Sequence, residues 1–235
     1  MLKPLQGKDV IDAIYGSSSN SRIRTYEDDP PEHRLKGFGD ALYTLGYIAM
    51  LNQKKPEVLH VLSGRVYNHG CSALILLDSA YYDEALNLCR SIAEIANLLS
   101  LFDGNPLEFK EWVKASKRER INKFGPYAVR QKLTNNNGHL PVSDDWYGEL
   151  CETVTHPTPE VFPNSREIAG RKTAYIGSLY DQGKYIDTGH KLLYLLVTCT
   201  TYLSSMTDNS DLLVPILESW EQESEYLNTQ LKIEK

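Results

Sequence analysis

The segment Glu84–Phe102 constrains the fold of this chain more than any other feature, because its apolar residues recur at helical spacing. On a helical wheel at about 100° per residue, the larger apolar side chains form one wide stripe. Small residues continue the stripe and allow close approach of another helix. Such a face must be buried against other helices. The stripe comprises Leu88, Ile92, Ile95, Leu99 and Phe102, with Ala85, Cys89, Ala93 and Ala96 beside them.

The rest of the chain repeats this pattern, with helical apolar spacing between turns rich in proline and glycine. It predicts a mainly α fold, an antiparallel helical bundle, in one domain over residues 31–235. The pattern of residues 1–30 predicts a short helix, followed by a polar linker that ends in prolines. Residues 171–187 are ambiguous, because Thr, Tyr and Ile between Gly and Asp also suit a small β-hairpin. Three further segments are predicted as single helices: Pro106–Phe124, Asp144–Thr155 and Leu212–Lys232.

The composition indicates a soluble globular protein, with 41% hydrophobic and 24% charged residues. A net charge of −6 argues against broad, non-specific binding to nucleic acid or to an anionic membrane. The four cysteines are far apart and form no metal-binding pair, which favours reduced thiols in a cytoplasmic protein. The chain starts without the apolar core of a signal peptide, and its longest apolar run, residues 192–203, is too short to span a bilayer. We therefore expect a cytoplasmic protein that does not bind membranes.

Arg90 and Glu94 lie on the more polar side of the first helix, four residues apart. At that spacing they can form an ion pair along the helix surface. Two interpretations are open. The pattern favours a partly solvated ion pair, and the alternative is an inward-facing polar seam that also includes Asn97.

Two stretches of the sequence resemble a known family. YYDEALNLCRSIAEIANLL contains a Tyr/Glu/Ala turn that leads into an Arg-x-x-x-Glu helix, and LCETVTHP ends at a His-Pro pair. Both resemble a bacterial family of unknown function that is similar to the HEPN-like helical bundles. Many HEPN-like proteins are RNases or nucleotide-binding proteins of toxin–antitoxin and phage-defence systems. Over residues 58–157, the resemblance implies a bundle in which Arg90, Glu94 and His156 are neighbours.

The nuclease motif of that group is not present in the sequence. HEPN nucleases carry an arginine followed, after four to six intervening residues, by a histidine, and no arginine of this chain is followed by a histidine at that spacing. Arg65 and His69 are one residue too close, and a structural role is the favoured interpretation. Glu57-x-x-His60 matches half of a carboxylate di-metal site, but no second Glu-x-x-His follows. We therefore expect neither a metal nor a cofactor.

His156 precedes Pro157, which disfavours the α conformation and predicts the end of a helix at the histidine. One interpretation is a cation that stabilises the helix C-terminus, with Glu152 one turn earlier. The other is a general acid or base, or a phosphate ligand, because histidine titrates near neutral pH.

Basic residues outnumber acidic ones over residues 107–132, against the overall balance of the chain. Trp112, Phe124 and Tyr127 are interleaved with them, a pattern that suits RNA or a nucleotide. An acidic partner, or an acidic surface of the protein itself in an oligomer, fits the charge equally well. The candidate binding residues are Lys114, Lys117, Arg118, Arg120 and Lys123.

Two classes of function follow. The first is a non-catalytic helical interaction or sensor protein, forming a homo-oligomer or binding a protein partner; the resemblance adds a bacterial defence or mobile-element context. The second is a divergent HEPN-like RNase or nucleotide-acting enzyme. In that enzyme Arg90 would bind phosphate, His156 would act as acid or base, and Glu94 would orient one of them.

Overall fold

The computed structural model describes residues 7–29, 35–51, 57–154, 165–168, 171–174 and 177–212, and six residues between 217 and 229. Up to residue 212 the described ranges are mainly α, with nine α-helices and one pair of short strands, and the six described residues between 217 and 229 are also helical. The helices are α1 (Gly7–Asp28), α2 (Asp40–Met50), α3 (Val58–Asp78), α4 (Tyr82–Gly104), α5 (Pro106–Lys114), α6 (Lys117–Phe124), α7 (Pro126–Asn135), α8 (Asp144–Val154) and α9 (Gln182–Met206). A π-helical turn, Leu35–Gly39, leads into α2, and a 3-10 turn, Ser210–Leu212, follows α9.

Helix α4 is the centre of the bundle and packs against α3, α7, α8 and α9. The apolar stripe predicted on it is buried, with Ile92 and Leu99 fully inaccessible and Leu88 partly buried at the edge of the core. Burying one such side chain contributes about 1.5–3 kcal/mol relative to leaving it exposed. The sequence prediction for this helix is therefore confirmed.

Close approach between helices depends on Gly70 of α3. A Cβ at this position would lie 2.7 Å from Leu196 on α9 and 2.8 Å from Leu42 on α2. Those distances are too short for real carbon contacts, so a larger residue here would force the ends of the Leu196 and Leu42 side chains to shift.

A second, smaller core lies at the C-terminal end of α4. Helices α5, α6 and α7, which we call the basic arm (residues 106–135), fold back over Phe102. The buried members of this core are Leu101, Phe102, Phe124, Val129 and Leu133.

The prediction of one helix over Pro106–Phe124 is wrong, because the chain turns at Ala115–Ser116 between α5 and α6. Ser116 and Glu119 form a capping box, in which each side chain bonds the other residue's backbone N–H. This motif satisfies the first N–H groups of a helix, and it starts α6 as a separate element.

The linker predicted within residues 1–30 is also wrong, because α1 continues to Asp28 through its serine-rich stretch. Polar side chains on one face of α1 bond the rest of the protein instead of turning the backbone. Thr25 donates to the carbonyl of Asp78 at 3.2 Å, and Ser178 donates to Ser21 at 2.6 Å. These tertiary hydrogen bonds override the weak helix propensity of serine and asparagine. The division into domains stays a prediction.

The hairpin predicted near residues 171–187 is not found there. Residues 171–174 pair with the preceding stretch, so that β1 (Ser165–Ile168) and β2 (Arg171–Ala174) form an antiparallel ladder. From Gln182 onward the chain is α9, whose first turn is capped by the Asp181 side chain bonding the N–H of Lys184. That N-cap marks the start of a helix, which was not recognised in the ambiguous segment.

By length and composition α4 is the one helix of the described residues that would be able to cross a membrane. In the structure, 61% of its most apolar window is buried inside the protein. A core helix meets the same criteria, so α4 provides no argument for a membrane.

Candidate functional site

Arg90 and Glu94 meet two side chains of α8. The Arg90 Nη2 lies 3.1 Å from Glu94 Oε1 and donates to the Tyr147 hydroxyl at 3.1 Å. The same hydroxyl donates to Glu94 Oε1 at 2.7 Å, and Arg90 Nε donates to the Cys151 Sγ at 3.3 Å. We call these four residues the Arg90 cluster. Its arginine and glutamate side chains remain 26% and 32% exposed, so the cluster sits at the edge of the core.

The loop before α8 fixes the position of this cluster. The Asn97 amide donates to the carbonyl of Val142 at 3.0 Å and accepts from its N–H at 2.9 Å. Ser100 bonds the carbonyl of His139 in the same loop at 2.6 Å. The Ser143 side chain accepts from the N–H of Trp146 and caps α8. The polar side of α4 therefore holds the loop and sets the register of α8.

Tyr147 lies between two arginines. The guanidinium of Arg130 lies 4.1 Å from the centre of its ring and that of Arg90 lies 5.5 Å from it, within the range of cation–π attraction. Burial and the hydrogen bond to Glu94 raise the pKa of Tyr147 above its ordinary value. The hydroxyl therefore stays protonated and acts as a hydrogen-bonding bridge.

Arg130 itself is nearly buried, and its Nε is bonded to Asp144. Its Nη1 is buried and has no hydrogen-bond partner among the described residues. Among the described residues, the charge is thus held by the carboxylate of Asp144 and by the face of the Tyr147 ring.

The alternative interpretation of Arg90, Glu94 and Asn97, an inward polar seam, agrees with this arrangement, and the Arg90–Glu94 ion pair is part of the seam. Their catalytic roles stay predictions. His156 lies outside the described residues, and α8 is described as far as Val154. The structure therefore brings Arg90 and Glu94 together, and the place of His156 beside them stays a prediction.

Tyr147, Cys151 and Arg130 were missed by sequence reasoning. Tyr147 and Cys151 are four residues apart and share one face of α8, a weak signal that the helix contacts something polar. Arg130 is one of the basic residues of the segment 107–132, and its spacing there does not distinguish it from the exposed cations. Only the fold shows that it turns inward.

Arg65 and His69 lie on α3, where Arg65 is exposed and His69 is partly buried. Burial and the nearby Arg65 charge lower the pKa of His69. The described residues contain no group of three or more side chains suited to hold a metal ion. Within the same ranges His60 is buried with its Nδ1 unpaired, which gives no support to the half-motif Glu57-x-x-His60.

The candidate binding residues of the basic arm are all exposed. Lys123 pairs with Glu111 at 2.6 Å, and Lys132 pairs with Glu108 at 2.5 Å. No ion pair joins the other exposed cations of the arm to any described residue. These unpaired cations are Lys110, Lys114, Lys117, Arg118 and Arg120.

The aromatic residues of the arm do not form a stacking surface. Phe124 is buried, and Trp112 packs on Phe102 with ring centres 5.3 Å apart. Tyr127 alone of the three predicted aromatics is well exposed, at 67%. The apolar groups that do reach solvent on the arm are mainly aliphatic and were not predicted: Leu107, Val113 and Ile121.

Comparison of the chain with protein-family models, with curated proteins and with solved structures finds no match. The resemblance to HEPN-like bundles therefore stays a prediction.

Proposed function

We propose that this protein is a non-catalytic helical interaction protein, cytoplasmic, that binds an acidic protein surface through its basic arm. The observation that carries the proposal is the set of exposed, unpaired cations on α5 and α6 beside exposed aliphatic side chains. Protein interfaces combine apolar groups with arginine, and this part of the arm has that combination.

The chemistry of the arm favours protein over RNA. Single-stranded RNA is bound by stacking bases on aromatic rings, and two of the three candidate rings are in the small core. Leu107, Val113 and Ile121 suit an apolar stripe on a partner helix instead. Such a partner would carry acidic residues on both sides of the stripe, like the ligand helices that lie in apolar grooves.

The Arg90 cluster supports a non-catalytic role. Arginine binds phosphate best through two parallel donors, and the pair formed by the Nε and Nη2 of Arg90 already bonds groups of the protein itself, which leaves the Nη1 edge. Glu94 accepts hydrogen bonds from Arg90 and Tyr147, so its carboxylate is used to hold α8.

The test is a binding titration with two labelled anionic probes, a single-stranded RNA and an acidic amphipathic helical peptide. We expect the peptide to bind more tightly, and Lys117→Glu with Arg120→Glu to weaken its binding roughly tenfold or more. The matched control reverses two exposed cations outside the arm, Lys8→Glu with Arg65→Glu, and should bind normally. The proposal would be contradicted if the arm variant bound the peptide as tightly as wild type, or if wild type did not bind the peptide.

A divergent HEPN-like RNase is the second candidate, in a bacterial defence or mobile-element setting. One observation favours it: Arg90 and Glu94 face α8, the helix whose described end, Val154, is two residues before His156. Metal-independent cleavage of RNA by wild type, lost in folded Arg90→Ala and His156→Ala variants, would establish it. RNA left intact by wild type and by both variants would count against it.

A further inference from the structure

The C-terminal segment of the chain carries negative charge that would complement the positive charge of the basic arm. Residues 208–235 contain seven acidic and two basic residues, so the segment is strongly acidic. Its described residues between 217 and 229 are helical, and the Thr229 hydroxyl bonds the carbonyl of Glu225 at 2.8 Å, one turn earlier. Glu218, Glu221 and Glu225 are exposed at spacings of three and four, which places them on one face of a helix. We call these three glutamates the acidic stripe.

The acidic stripe also carries an apolar neighbour. Leu217 is 42% exposed, and it lies next to Glu221 around the helix. An acidic face with an exposed leucine is the complement of Lys117 and Arg120, which are three residues apart on α6 beside exposed Ile121.

Both surfaces face solvent within one chain. The glutamates of the stripe and the unpaired cations of the arm are exposed, and no ion pair joins them. The two surfaces therefore remain available to a second molecule, and a twofold dimer would satisfy both at once. In such a dimer the stripe of each subunit meets the arm of the other, so the contact is made twice.

We propose that the acidic partner of the basic arm is the acidic stripe of a second copy of this chain, exchanged reciprocally in a homodimer. The inference rests on the proposed function, because it names the partner for the same arm. Individual surface ion pairs contribute only about 0–1 kcal/mol each. The contact therefore also needs the exposed aliphatic groups, and it should weaken as salt rises.

Charge reversal in both directions tests the proposal. The arm variant is Lys117→Glu with Arg120→Glu, and the stripe variant is Glu218→Lys with Glu221→Lys. Acidic residues in the first turn of α6 favour that helix, so the arm variant should remain folded. Circular dichroism checks this for every protein, and Lys8→Glu with Arg65→Glu is the matched control.

Sedimentation velocity over a concentration series measures the dimer. We expect wild type and control to dimerise, and each single-surface variant to lose affinity by roughly tenfold or more. The protein with both surfaces reversed should recover to within about threefold of wild type, because the charges again attract. The proposal would be overturned if neither variant changed the affinity of the dimer. It would also be overturned if the protein with both surfaces reversed did not regain that affinity.

The same experiment separates this inference from the proposed function. If wild type stays monomeric at all concentrations while its arm still binds the acidic peptide probe, the reciprocal dimer is wrong and the proposed function stands. If wild type is monomeric and the arm also fails to bind the peptide, both are wrong.

Discussion

The Arg90 cluster and the basic arm use the same residue types for opposite purposes. In the cluster, Arg90 bonds Glu94, Tyr147 and Cys151, and the loop before α8 is held by Asn97. On the arm, Lys117 and Arg120 extend into solvent with no partner among the described residues. Polar groups that form hydrogen bonds inside the protein hold helices in place. Exposed and unpaired groups are available to a partner. The comparison predicts where substitutions change stability and where they change binding.

The largest effect on stability is expected for Asn97→Ala. The substitution removes both hydrogen bonds to the Val142 backbone and leaves that buried N–H and carbonyl unsatisfied, so the loss should be about 2–4 kcal/mol. Urea unfolding measures the change. Asn122→Ala, at an exposed position on the arm, is the matched control and should be nearly neutral. Equal losses of unfolding free energy for the two variants would contradict the difference proposed between the cluster and the arm.

A smaller loss is expected for Tyr147→Phe. The ring remains to pack beside Arg90 and Arg130, and only the two hydrogen bonds of the hydroxyl disappear, the one it accepts from Arg90 and the one it donates to Glu94. Hydrogen bonds to charged groups contribute about 1.5–3 kcal/mol. Because Arg90 and Glu94 stay paired with each other and partly exposed to water in the variant, we expect the total loss near the lower end of that range. Tyr127→Phe, at an exposed tyrosine, should leave the free energy of unfolding unchanged. A neutral Tyr147→Phe would show that the bridge is dispensable.

Alkaline pH should reduce the difference in the free energy of unfolding between wild type and Tyr147→Phe. The pKa of Tyr147 is raised in the folded protein, so the stability linked to this group is present below the unfolded pKa of about 10. It is lost as pH rises from there toward the folded pKa, and the phenylalanine variant lacks this titration. Unfolding measured from about pH 8 to 11 tests the sign. A difference that grows with pH would contradict it.

The smallest change in stability is expected on the arm. Lys117→Glu with Arg120→Glu should alter the free energy of unfolding by less than about 0.5 kcal/mol, because both side chains are exposed and unpaired. The same chemical denaturation series measures it, now at low protein concentration so that association does not contribute. A loss comparable with that of Asn97→Ala would mean that the arm cations have partners within the protein.

Much of the bundle was predictable because its apolar residues repeat at the helical period. The stripe on α4 is an example: its spacing alone indicates which side must be buried. The ends of elements were less predictable. The capping box of Ser116 and Glu119 starts a new helix inside a segment whose pattern predicts one helix, and the serines of α1 lie in a helix although serine is typical of loops.

The candidate site was predictable only in part. The spacing of Arg90 and Glu94 indicates that the two are able to pair, and the structure has that pair. Their contacts with Tyr147 and Cys151 join residues more than fifty positions apart, which no local pattern encodes. The arm shows the same limit, because Trp112 and Phe124 were expected beside a ligand and are packed on Phe102.

From the sequence alone, a mainly α chain was predictable, with one wide face of α4 buried, since helix formation and apolar periodicity are properties of neighbouring residues. The central position of α4 was not. The sequence also determined that a basic segment stands apart from an acidic chain. The tertiary structure was needed to show which polar groups form hydrogen bonds or ion pairs within the protein and which face solvent. That choice depends on side chains brought together from distant positions, where burial makes an unpaired group costly and solvent does not.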